Sequence, residues 1–122
     1  MAYRLEFRIN VLPSSTNSIG RKHWTIKAKE AREWKTWVAL MAKSKGLPKM
    51  PLKKAKLTLT RASSVAPDAD GLVSSFKHVI DGLVYAKVLE NDRMDNIGIP
   101  DYRWEKAPQK NGWISVVVEE VG

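Results

Sequence analysis

The chain has 122 residues, room for one domain with a core of its own, taken as residues 1–122. It contains no cysteine, which excludes a disulfide framework and a thiolate zinc site and agrees with a reducing cytoplasm. The first residues lack the apolar stretch of a signal peptide, and no run of about 18 apolar residues occurs, so no membrane partner is expected. Net charge is +8 and unevenly spread: residues 1–61 hold 15 Lys/Arg against three acids, residues 62–122 six against ten. A first half at +12 attracts polyanions, with solvated surface lysines as the plain alternative.

Residues 3–11 alternate Leu5, Phe7, Ile9 and Val11 with Arg4, Glu6, Arg8 and Asn10, the pattern of a half-buried strand. Pro13 to Ser18 is a turn-rich loop, in which Ser15 and Asn17 either shape the turn or touch DNA. A helix is expected over 25–45, capped by Thr25, with Trp34, Trp37, Val38 and Met41 at i, i+3, i+4 and i+7 as its buried stripe. Gly46 and Pro48 end it, and residues 49–54 form a basic loop. Ala55, Leu57 and Leu59 alternate with Lys56, Thr58 and Thr60 in a second strand.

A second helix over 71–85 carries Leu72, Val73, Phe76, Val79, Ile80 and Leu83 on one face. Residues 93–100 read as loop and 102–106 as a short strand. Asn111-Gly112 signals a tight turn before a last strand over 113–121. The order β-α-β-α-β-β predicts an α/β (α+β) fold, a small mixed β-sheet packed with two helices.

The chemistry concentrates between Pro67 and Asp92. Asp68 and Asp70 lie one residue apart at a helix entrance, so an extended segment puts both carboxylates on one side. Two such charges about 5 Å apart repel by roughly 3 kcal/mol at an effective dielectric near 20. Mg²⁺ offsets this, being held by one or two carboxylates with waters and substrate phosphates, and Asp92 is placed to complete the site. The competing reading is a helix cap, with Asp70 bonding the amides of the first turn. Lys77 either stabilises charge on a scissile phosphate or forms an i,i+4 pair with Asp81. Arg21, Lys22, Lys27, Lys29, Lys53 and Lys54 are candidates for the DNA path, positioning by charge rather than reading bases. Trp24 and Trp104 either stack on unpaired bases or pack within the protein.

Taken together these segments resemble the RusA family of Holliday junction resolvases of phages and prophages. The resemblance rests on Pro13-Ser14-Ser15-Thr16-Asn17, on Asp68-Ala69-Asp70-Gly71, on Lys77-His78-Val79-Ile80-Asp81-Gly82-Leu83 and on Asn91-Asp92, in the family's order along nearly the whole chain. Gly71 stands where the family has Asn, and Asn91 where it has the first Asp of a pair. Lys77 follows Asp70 by seven residues where the family has four, so either Lys77 is displaced by one helical turn or Ser74 takes the lysine's place. The resemblance implies a homodimeric, Mg²⁺-dependent (or Mn²⁺-dependent) endodeoxyribonuclease that cuts branched DNA in the cytoplasm of a bacterial host. It implies Asp68, Asp70 and Asp92 as metal ligands, these three with Lys77 as catalytic residues, and the basic first half as the grip on DNA. A non-catalytic DNA-binding module with the same fold, or a nuclease for flaps and forks, are the alternatives.

Overall fold

A computed structural model describes residues 2–13 and 24–121, with side chains in the second stretch from residue 28 onward. The expected contacts by Asn17, Arg21 and Lys22, and by the Lys27 and Trp24 side chains, lie outside the described residues. The fold is mixed α+β around a four-stranded sheet. Strand β1 (Arg4–Ile9) is followed by helix α1 (Trp24–Lys45) and strand β2 (Ala55–Ser63). Helices α2 (Ala69–Ser75), α3 (Lys77–Tyr85) and the single turn α4 (Met94–Ile97) come next, then β3 (Asp101–Lys106) and β4 (Trp113–Glu120). The sheet order is β1-β4-β2-β3, antiparallel except for the parallel β2–β3 pair.

The two-residue alternation produces rows of apolar side chains across the inner face. Leu5, Val118 and Leu57 make one row; Phe7, Val116, Leu59 and Tyr102 make the next. The third runs Ile9, Ile114, Arg61 and Trp104, so a guanidinium interrupts the apolar face one strand from its edge. Trp34, Val38 and Ala42 of helix α1 and Val79 and Leu83 of α3 are buried in the same core cluster as the first two rows. Trp34 and Trp37 meet edge to face with ring centroids 5.0 Å apart, as the stripe predicts. Gly46 ends α1 at φ +103, its N–H on the Ala42 carbonyl, while Tyr3 Oη donates to the Gly46 carbonyl at 2.7 Å.

Four expectations are corrected. Helix α1 starts at Trp24, so Thr25 lies inside it and is not its cap. The reversal before β4 spans 108–111, closed by Asn111 N–H on the Pro108 carbonyl with Lys110 at φ +70, so its central pair lies two residues ahead of Asn111-Gly112. Residues 94–97 form a helical turn inside the expected loop. The second helix starts at Ala69 and breaks at Phe76 (φ −99, ψ 4). Its cause is local: Ser75 Oγ donates to the Gly71 carbonyl at 2.6 Å and Ser74 Oγ to the same oxygen at 3.2 Å. Such hydroxyl back-bonding competes with the i→i−4 ladder and bends helices. Phe76 itself is fully buried, its ring 6.1 Å from that of Tyr102.

Gly82 sets the distance between α1 and α3. A Cβ there would stand 2.8 Å from Val38 Cβ, closer than two carbons approach. Gly82→Ala is expected to lower stability by about 1–2 kcal/mol despite the better helix propensity of alanine, because the two helices are forced apart. Thermal unfolding should read this as a fall of about 4–8 °C; an unchanged or raised midpoint would show that α1 and α3 separate without cost.

Candidate functional site

Asp68 is the N-cap of α2. Its backbone is extended (φ −73, ψ 172), and Oδ1 accepts from the Gly71 N–H at 2.6 Å. A Cβ on residue 71 would come within 2.8 Å of that oxygen, so a side chain there would shift the carboxylate slightly within the cap. Asp70 lies in the first turn, where its charge complements the helix dipole. By helical spacing Asp70, Val73 and Ser74 share one face of α2.

Lys77 begins α3 just past the break. Its Nζ lies 3.7 Å from Asp81 Oδ1, with the lysine side chain 68% exposed. A pair this exposed is worth a few tenths of a kcal/mol and leaves the ammonium available to a stronger anion. Asp92 is exposed in the loop between α3 and α4, at the middle of a turn in which Asn91 Oδ1 accepts from the Arg93 N–H at 2.9 Å. An open groove of about 430 Å³ brings Lys77, Asp92 and Ser74 together against apolar walls that include Val73, Ile99 and Tyr102. Burial pushes the Tyr102 hydroxyl above its usual pKa, so it is a neutral donor at this edge.

The three expected metal ligands do not converge. Among the described residues no group of three or more His, Asp or Glu side chains is placed to hold a metal ion. The physical reason is that Asp68 is committed to its cap while Asp92 belongs to the groove further along the helix pair. Among the described residues the carboxylates of Asp70 and Asp92 have no ion-pair or hydrogen-bond partner. Two exposed carboxylate oxygen donors suit a hard cation that completes its shell with water and phosphate. A three-carboxylate cage within one chain does not fit.

Sequence reasoning missed Arg61. One of its terminal nitrogens donates to the Pro13 carbonyl at 2.8 Å and to Ser75 Oγ at 2.9 Å, while its Nε is buried without a partner. Burial lowers the pKa of this guanidinium, and no carboxylate pairs with it among the described residues. The bonds run from the Pro13 loop through Arg61 and Ser75 to the Gly71 carbonyl, and Gly71 in turn holds Asp68. The signal was present in the parity of β2: residue 61 continues the inward positions 57 and 59.

The basic candidates divide. Lys29 is exposed on α1 and 4.0 Å from Glu33. Lys53 and Lys54 belong to the loop before β2 and line a separate groove. Trp104 sits on the edge strand β3, partly exposed, donating to Ser63 Oγ at 3.0 Å. Neither any protein-family model nor any curated protein matches the chain.

The cap reading of Asp68 has a direct consequence in the absence of metal. Asp68→Ala should cost about 1 kcal/mol, and Asp70→Ala much less. Thermal melts in EDTA should show a fall of about 3–5 °C for the first variant alone; equal effects would contradict the assignment of the cap to Asp68.

Proposed function

We propose that this chain is a divalent-metal-dependent endodeoxyribonuclease that cuts branched DNA, the activity implied by its resemblance to the RusA family. The supporting observation is the groove shared by Lys77 and Asp92, which come from different elements. Asp70 precedes Ser74, a lining residue, by one turn of the same helix. An ammonium beside unpartnered carboxylates is a set that phosphodiester hydrolysis uses. Asp70 and Asp92 would hold Mg²⁺ or Mn²⁺, which when bound neutralises charge on a phosphate and activates water.

The chain's own residues do the rest. Lys77, released from Asp81, holds a phosphate oxygen and favours the charge that develops on it. Asp81 pairs with the lysine when no DNA is present. Arg61 and Ser75 hold the turn that carries Asp68 and Asp70. Arg21, Lys22, Lys27 and Lys29 grip the arms; if six phosphates are neutralised, log K falls against log salt with a slope of roughly −5. A homodimer in the cytoplasm of a bacterial host matches its two-fold axis to the two-fold symmetry of a four-way junction. A second reading, a DNA-binding module without catalysis, is favoured by the capping role of Asp68.

Purified protein with a synthetic four-way junction and a linear duplex decides between them. Paired nicks in the junction alone, lost in EDTA and reduced at least a hundredfold by Asp92→Asn, are expected. Lys77→Ala should lower the cutting rate about tenfold to a hundredfold with junction affinity nearly unchanged. Tight junction binding without cutting, indifferent to Asp92→Asn, selects the binding module.

A further inference from the structure

A second groove lies away from Lys77 and Asp92. It is an open trough of about 900 Å³ between the loop before β2 and the paired ends of β1 and β4. Its floor is apolar, with Leu47, Met50, Leu52 and Val121, and Met50 is 70% exposed. Its rim carries Lys49, Lys53 and Lys54. The one acid in it, Glu120, is turned to the backbone, accepting from the Tyr3 N–H at 2.9 Å.

The walls are tied down rather than loosely draped. Leu52 pairs with Leu89, its N–H on the Val88 carbonyl and its carbonyl accepting from the Glu90 N–H. Asn96 Nδ2 donates to the Lys53 carbonyl at 2.8 Å, and the Val121 N–H to the Lys54 carbonyl at 3.0 Å. Tyr3 Oη fixes the loop's start at Gly46, and Pro48 and Pro51 stiffen what lies between. A preformed groove loses little entropy on binding.

From this we infer that the trough is a docking site for an acidic peptide segment of a partner protein, one carrying apolar side chains between its carboxylates. Three lysines around an apolar floor complement that pattern: the floor takes the side chains and the rim takes the charges. A nucleic-acid backbone would use the lysines and leave the apolar floor without a role. Nothing in this inference depends on the nuclease reading.

The test is fluorescence anisotropy with a labelled ten-residue Asp/Phe peptide and an Asp/Ser peptide of equal charge. The Asp/Phe probe should bind saturably, and the Asp/Ser peptide at least about tenfold more weakly. Met50→Glu and, independently, Lys53→Glu should each weaken the probe about tenfold while leaving the melting temperature unchanged, since both side chains are exposed. Equal binding of the two peptides, or wild-type binding by Met50→Glu, would overturn the proposal. Displacement of the probe by junction DNA, together with weaker DNA binding by Met50→Glu, assigns the trough to nucleic acid and overturns it. Self-association abolished by Met50→Glu assigns it to a second copy of the chain and overturns it as well.

Discussion

The burial of Phe76 governs how the candidate site is arranged. This ring is completely enclosed at the junction of α2 and α3 and packs on Tyr102 of β3. To put it there the helix has to break, and the serine pair before it loosens the backbone ladder at the carbonyl of Gly71. The break sets the start of α3, and with it Lys77, against the loop that carries Asp92. Burying a phenylalanine contributes roughly 1.5–3 kcal/mol, several times the worth of the exposed Lys77–Asp81 pair. Packing therefore decides where the lysine stands, and electrostatics only refines it.

A second constraint acts from the far end of the inner face. The third cross-strand row carries Arg61, between Ile114 and Trp104, instead of an aliphatic side chain. A half-buried guanidinium must be given acceptors, and it takes them from the Pro13 carbonyl and Ser75. The loop after β1 and the acidic turn are thereby joined through one side chain. Replacing Arg61 by an apolar residue of similar length would keep the packing and remove the link.

The strands were legible because Leu5, Phe7 and Ile9, and Leu57 and Leu59, repeat with period two and one face is solvated. The long stripe of α1 was legible for the same kind of reason. The helix break was not: residues 71–85 keep an unbroken apolar face, and the competition between hydroxyl and amide for one carbonyl leaves no mark on that periodicity. The capping chemistry was visible as a type of signal, but residue type pointed to Asp70, and the structure places the cap two residues earlier, on Asp68. The meeting of Lys77 with Asp92 was legible only through the order of motifs, since no local rule predicts which loop lies against which helix. Asp68 is instead engaged by one hydrogen bond from the Gly71 N–H, at a residue noted in the sequence only as standing in place of Asn.

The central claim is that Asp70 and Asp92 together form a cation site beside Lys77. Titration of isotope-labelled protein with Mn²⁺, read by paramagnetic broadening of amide resonances, tests it most directly. The account predicts that amides of residues 70–74 and of residues 92–93 broaden together, and that Asp92→Asn removes both effects. Broadening confined to one segment, or broadening at 70–74 that survives Asp92→Asn, would contradict it.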